Sequence, residues 1–335
     1  MDDKRVSVVV PAYNEEKVIR LCYDALTDVM MSIDYEYELL FVNDGSKDQT
    51  MRILDELAKH DEHVRVINFA RNFGHQAAVT AGINQSRGDC VVIIDADLQD
   101  PPEVIRDMLR KWEEGYEVVY GKRRKRKGET FFKLATASLF YRFLRRMSDT
   151  DIPRDTGDFR LIDRKIVHVF NRMTERNKFI RGIVSWIGFN QTFVEYDRNE
   201  RAAGETKYPL RKMIAFASDG IISFSSKPLK LITRMGMLTV VLAFVVLVYS
   251  LCAKLFNLPQ VERGWTSIMM AITLFSGVQM LSLGIIGEYI ARIYDESKNR
   301  PQYIIKDTVH YPHEEMNRQQ GSYSSEYPRS EMVSK

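Results

Sequence analysis

Short apolar runs alternate with amphipathic stretches over the first 120 residues, a rhythm that predicts βα units around a mostly parallel sheet. Val6–Val10 is a β-branched run closed by Pro11 and reads as a strand. Glu15–Met30 carries helical spacing through Val18, Leu21, Cys22, Ala25, Leu26 and Val29. Glu38–Val42 predicts a second strand, Thr50–Lys59 a helix, Val64–Phe69 a third strand and His75–Gln85 a third helix. Cys90–Ile94 is a fourth strand that stops at Asp95. Ligands of such sheets sit outside the carboxyl ends of the strands. Asn14, Glu15, Asp44, Asp95 and Asp97 are therefore expected to share one cleft.

The pattern changes after residue 210. Residues 211–229 have the apolar spacing of interfacial amphipathic helices, interrupted near Gly220 and ended by Pro228. No charge occurs from Met235 to Ala253, nor from Trp265 to Gly287, and each run is long enough to cross a bilayer core, which takes roughly 20 helical residues. The chain divides accordingly into a catalytic domain over 1–210, interfacial helices over 211–229, and transmembrane helices over 230–256 and 264–291. A tail covers 292–335 and is expected to be largely disordered after about 306. Basic flanks at Lys227, Lys230, Arg234, Arg292, Lys298 and Arg300 place both termini and the large domain in the cytoplasm.

Composition adds limits. The 335 residues are 45% hydrophobic and 28% charged, an average that conceals a charged N-terminal part and an apolar C-terminal part. With 48 basic against 45 acidic residues, net charge gives no case for nucleic-acid binding. Cys22, Cys90 and Cys252 lie far apart without metal-ligand spacing and read as reduced cytoplasmic thiols. MDDKRVSVVVPAYNEE has too short an apolar stretch for a signal peptide and reads as a first strand.

Asp95-Ala-Asp97-Leu-Gln99 offers two carboxylates at i and i+2 where a strand ends, with the Gln99 carbonyl as a third oxygen. A hard cation, Mg²⁺ or Mn²⁺, shared with a diphosphate suits that set, although DxD alone equally fits a turn or a helix cap. Asp44 in VNDGS is either an Asx-turn residue or an acceptor for a ribose or base edge. Arg198, Arg201 and Lys207 lie in a polar loop and would clamp a diphosphate if the carboxylates hold its metal. The run Lys122–Lys127 is a solvated loop or a contact for lipid phosphate. Phe131, Phe132, Phe140, Tyr141 and Phe143 form a packing face or a lipid groove. Glu288 reads as an interfacial residue paired with Arg292, and Gly277, Gly284 and Gly287 favour helix contact and oligomerisation. His75, at a polar turn with no partner at ligand spacing, reads as structural.

VVVPAYNEE, VNDGSKDQT, RNFGHQAAVTAGI, DADLQDPPE, DTGDFRLIDR, FIRGIVSWIGF and RAAGETKYPLRKM together resemble the membrane-anchored family-2 glycosyltransferases of GT-A fold, in the polyprenyl-phosphate group. The similarity spans roughly residues 5–290, and the QxxRW motif of processive synthases is absent. The resemblance implies an α/β GT-A domain, Rossmann-like with a mostly parallel sheet, followed by amphipathic juxtamembrane helices and two transmembrane helices. It implies that Pro11, Ala12, Tyr13 and Glu15 contact the nucleoside and Asp44 its base or ribose. Asp95, Asp97 and Gln99 would hold metal and diphosphate, and Arg198, Arg201 and Lys207 the phosphates. Asp158 takes the place of a catalytic or sugar-orienting carboxylate, while Arg123 and Lys133 are looser matches for the acceptor phosphate.

The expected reaction moves one sugar from a nucleotide sugar to polyprenyl (undecaprenyl) phosphate at the cytoplasmic leaflet of the inner membrane, with inversion, for cell-envelope glycan modification. UDP-glucose is the first-choice donor, ahead of UDP-N-acetylglucosamine and GDP-mannose. A phosphate monoester has a second pKa of about 6 and is already a nucleophile at neutral pH. Asp158 is therefore expected to orient a hydroxyl or the acceptor rather than act as a strong base. A bilayer, a homo-oligomer, a flippase and a downstream glycosyltransferase are the expected partners; a non-catalytic nucleotide-sugar scaffold is the rival class.

Overall fold

The computed structural model describes residues 4–124, 156–176, 178–199 and 264–310, with scattered positions between 229 and 252. One eight-stranded sheet organises it: β1 (Arg5–Ala12), β2 (Glu36–Asn43), β3 (Val64–Phe69), β4 (Cys90–Ile93), β5 (Val118–Arg123), β6 (Thr156–Asp163), β7 (Gln191–Tyr196) and β8 (Ile305–Val309). The order across the sheet is β7-β5-β6-β4-β1-β2-β3-β8. β3, β2, β1 and β4 run parallel, as do β5 and β7; β6 inserts antiparallel between β4 and β5, and β8 is antiparallel to β3.

β1 is central and buried on both faces, which is why its sequence is a continuous valine run. Val8 and Val10 face a core formed with α1 (Ile19–Met31), α2 (Thr50–His60) and α4 (Val104–Glu113). Val9 faces the opposite core, built from α3 (His75–Gln85), α5 (Arg164–Asn171) and α6 (Ile180–Ile187). The third strand and third helix match their expected bounds, and β2 is longer than expected at both ends. α1 begins at Ile19 rather than Glu15, because Asn14 is left-handed (φ 55°) and the Glu15 amide donates to Thr50 Oγ1 at 2.8 Å instead of starting a helix.

Two expectations are corrected. The tail was expected to lose order after about 306, yet Ile305–Val309 pairs with the otherwise open edge of β3, with Val66 opposite Val309 and Asn68 opposite Asp307. Asn68 Nδ2 donates to both Asp307 carboxylate oxygens at 3.0 Å, and Tyr303 stacks on Phe69 with ring centroids 5.1 Å apart. Lys122 and Arg123, expected in a basic loop, belong instead to β5. Lys122 pairs with Glu195 at 2.8 Å and lies over the Phe193 ring, so the first cation of the run is spent on the β5–β7 edge.

Helix α7 (Trp265–Ser297) covers the expected second span and continues past 291, ending before a left-handed Asn299 (φ 46°) and Pro301. Within Leu274–Ser297, 18 consecutive residues reach a mean hydropathy of 1.4, and α7 is the one helix among the described residues long and apolar enough to cross a membrane. Leu274, Met280, Leu281 and Ile290 are exposed. The interfacial segment 211–229 apart from Leu229, the aromatic stretch after Phe131 and most of the expected first span lie outside the described residues.

Candidate active site

Strand register brings the chemistry together. β4 and β6 pair Cys90 with Asp163 and Ile93 with Arg160, and the same antiparallel register carried two residues onward sets Asp95 opposite Asp158. β1 and β4 pair Val9 with Ile93, so Pro11 comes beside Asp95 by the same step. Pro11 and Ala12 finish β1, Tyr13 is partly exposed beyond it, and the Ala12 carbonyl accepts from the Asp44 amide at 2.9 Å.

Asp44 is buried, and its two oxygens accept from the Phe73 and Gly74 amides at 2.7 and 2.9 Å. Burial pushes its carboxyl above the usual range, against those two hydrogen bonds. Gly45 turns the chain at φ +63°, and a Cβ there would lie 2.4 Å from the Arg71 carbonyl carbon. The VNDGS loop is thus fastened to the segment that leads into α3.

His75, the first residue of α3, puts Nε2 at 3.3 Å from Asp158 Oδ2 and 3.7 Å from Asp95 Oδ1. Arg181 grips the other side of Asp158, with Nε to Oδ1 at 2.7 Å and Nη2 to Oδ2 at 3.0 Å. Arg160, fully buried in β6, adds a third cation 3.8 Å away. Burial alone would raise Asp158, but His75 and Arg181 outweigh it and hold the carboxyl well below the usual range. Asp158 is consequently an anion at neutral pH and a poor general base. Burial pushes Asp95 up to about 6, and His75 opposes that rise. Burial would lower His75; the Asp158 hydrogen bond and the Asp95 charge lift it to about 9.

Asp97 Oδ1 accepts from the Gln99 amide at 3.1 Å, and the intervening Leu98 is left-handed at φ 56°, a strained conformation for leucine. Gln99 is buried and its Oε1 has no hydrogen-bond partner. No group of three or more His, Cys, Asp or Glu side chains among the described residues forms a metal site. Two carboxylates and an unpartnered buried carbonyl oxygen are nevertheless the hard donor set that suits a divalent cation completed by substrate phosphates.

Beside them, Asp100 is 1% exposed and gathers Arg123 at 3.3 Å and Arg198 at 3.6 Å. The Asn199 amide donates to the Gln99 carbonyl at 2.9 Å, latching the loop that carries Arg198 onto the carboxylate motif. A Cβ on Gly157 would lie 2.7 Å from Arg123 Nη2, so the glycine next to Asp158 makes room for that guanidinium. Arg201, Lys207 and Lys133 lie outside the described residues. Read alone, the chain did not disclose His75, Arg181, Arg160 or Asp100 as parts of this cluster. The one local signal was a charge at positions whose neighbours are apolar, as in FRLI and FIRGIV.

A mostly parallel sheet whose strand ends present paired acidic residues beside clustered arginines fits a glycosyltransferase of GT-A type. Residues 7–170 match Glycosyl transferase family 2 and residues 227–293 match the GtrB C-terminal hairpin. The uncharacterized glycosyltransferase YkcC of Bacillus subtilis is 56% identical over 300 residues, covering 90% of this chain and 93% of the relative. The bactoprenol glucosyl transferase of Shigella phage SfV is 41% identical over 304 residues, covering 90% of this chain and 98% of that protein. A prophage bactoprenol glucosyl transferase homolog of Escherichia coli is 40% identical over 302 residues, with the same coverage. The chain belongs to glycosyl transferase family 2.

Proposed function

We propose that the protein transfers one sugar from a nucleotide sugar, UDP-glucose before UDP-N-acetylglucosamine or GDP-mannose, to polyprenyl phosphate at the cytoplasmic face of the cell membrane. One observation carries the lipid acceptor. The exposed apolar helix α7 meets the catalytic domain in the loop just ahead of Arg181, where the Arg176 amide donates to Glu296 at 2.8 Å and the Arg176 side chain to Asn299 at 3.2 Å. Arg181 in turn holds Asp158. The end of the membrane-type helix is thus fixed to the segment that leads into the helix carrying Arg181. The bactoprenol glucosyl transferases at 40–41% identity support the same acceptor class and glucose as the sugar.

In this reading Pro11, Ala12, Tyr13, Glu15 and Asp44 seat the nucleoside. Asp95, Asp97 and Gln99 would hold Mg²⁺ or Mn²⁺, which when bound neutralises charge developing on the diphosphate. Arg198, with Arg201 and Lys207, binds the diphosphate, and Arg123, with Lys133, binds the acceptor phosphate. An oxygen of the dianionic phosphate forms the bond to the anomeric carbon as the bond to the nucleoside diphosphate breaks. The configuration inverts, and no proton need be removed from the nucleophile. Asp158 orients, and catalysis comes from positioning and charge stabilisation. Two membrane spans keep the domain beside its lipid, in a homo-oligomer that feeds a flippase and a downstream glycosyltransferase of the cell envelope.

The test is release of nucleoside diphosphate by the full-length protein in proteoliposomes containing polyprenyl phosphate, with a panel of donors and Mg²⁺ or Mn²⁺. Acceptor-dependent release is expected. Binding of a nucleotide sugar without release would favour a scaffold and sink the enzyme reading.

A further inference from the structure

The acidic groups Asp95 and Asp158, which register sets opposite each other, are not left to repel. His75 stands between them, within 3.3 Å of one and 3.7 Å of the other. A carboxylate offers about four lone-pair sites. On Asp158 the Arg181 fork occupies one site on each oxygen, and His75 Nε2 stands 3.3 Å from Oδ2, on hand to fill its second site. Arg160 Nη2 stands off Oδ1 at 3.8 Å, beyond hydrogen-bond reach. Oδ2 thus faces Arg181 and His75 while Oδ1 has Arg181 alone within 3.5 Å, so Oδ1 keeps the capacity to accept from a substrate. The next residue in α3 reinforces the arrangement, because Gln76 Oε1 accepts from the amide of Ile180, the first residue of the helix that carries Arg181. His75 itself is partly exposed in the cleft, so it fills no cavity in the core.

We infer that His75 is a positioning residue for the transfer reaction: it closes the second acceptor site of Asp158 Oδ2, and so fixes the single direction in which this carboxylate meets the reacting sugar or acceptor. Without it, Asp158 keeps its arginine fork but gains a second acceptor site facing Asp95, and substrate hydroxyls bind in unproductive orientations. The inference rests on the reading of Asp158 as an orienting group, and the experiment separates the two.

kcat, donor KM, UDP affinity and Tm are measured for the full-length protein and for His75→Ala, His75→Gln, Asp158→Asn and the His75→Ala/Asp158→Asn pair. His75→Ala is expected to lower kcat by about 100-fold, the scale of a misplaced catalytic geometry, with donor KM, UDP affinity and Tm nearly unchanged. His75→Gln, which keeps an N–H donor, should recover part of that loss. Once Asp158 is Asn, His75→Ala should cost little more, because the two act as a unit. Full activity in His75→Ala, independent multiplicative losses in the pair, or a loss confined to Tm or UDP affinity would overturn the inference. Unchanged turnover in Asp158→Asn would instead overturn the reading of Asp158 on which it rests.

Discussion

Tyr196 donates its hydroxyl to Asp100 Oδ1 at 2.5 Å, joining the last residue of β7 to the carboxylate motif after β4. Asp100 is 1% exposed and is also the shared counter-ion of Arg123 and Arg198, so one buried anion sets the spacing of cations assigned to two different phosphates. Removing one partner from a buried ionic cluster leaves the others uncompensated. Asp100→Asn is therefore expected to lower stability by about 3 kcal/mol, seen as a fall in thermal midpoint, and to raise the KM for donor and acceptor together. A rise in only one KM would show that the arginines are held independently.

Gly157 offers a cleaner probe of Arg123. Its missing side chain leaves the space taken by the Arg123 guanidinium, and the clash in Gly157→Ala would fall on the far end of a flexible side chain rather than on backbone. The fold should survive at a smaller cost than loss of Asp100, because Arg198 still faces that carboxylate when the Arg123 side chain swings aside. The guanidinium should move, and the acceptor KM should rise while the donor KM holds. An unchanged acceptor KM would remove Arg123 from the acceptor site.

The legible and illegible parts of the molecule divide along physical lines. Val6–Val10 was readable because a strand buried on both faces needs an unbroken apolar run, and Asp95 and Asp97 were readable because they follow such a run directly. The meeting of His75 with Asp158 was not readable. It depends on β6 entering antiparallel between β4 and β5, a choice that no local periodicity encodes. Arg181 lies in an amphipathic helix whose buried face is plain, but its carboxylate partner is fixed only by that same register. β8 escaped for another reason: five residues of mixed polarity form a strand because β3 presents an open edge.

Part of the acid sensitivity should originate away from the cleft, in addition to that of the depressed Asp158 carboxyl. Glu38 is buried in β2, accepts from Ser7 Oγ at 2.6 Å and the Arg87 amide at 2.7 Å, and is ion-paired with Arg65. Burial would raise its carboxyl, but Arg65 and Ser7 outweigh burial and hold it below the ordinary value. A depressed folded-state value means stability present above the unfolded value of about 4.3 and lost as pH falls through the folded one. The thermal midpoint should therefore drop on acidification below about pH 4.3. Glu38→Gln should be less stable by about 3 kcal/mol at neutral pH and lose part of that acid dependence. A variant with the wild-type pH profile would locate the sensitivity elsewhere.

The strand that follows α7 should matter to both stability and membrane chemistry. The domain is tied to the helix by Arg176 with Glu296 and Asn299, and again where β8 closes the β3 edge. Asn68 is largely buried, so Asp307→Ala strips its Nδ2 of both acceptor oxygens and should cost about 1–2 kcal/mol. Tyr303→Ala removes a ring stacked on Phe69 and a hydroxyl that accepts from Asn84, and should cost about 2–3 kcal/mol. UDP affinity should stay near wild type in both, because neither residue touches the cleft. If β8 also sets the height of the domain beneath the membrane, turnover with bilayer-embedded acceptor should fall more than turnover with a short-chain acceptor in detergent. Equal losses on the two acceptors would confine β8 to edge protection and stability.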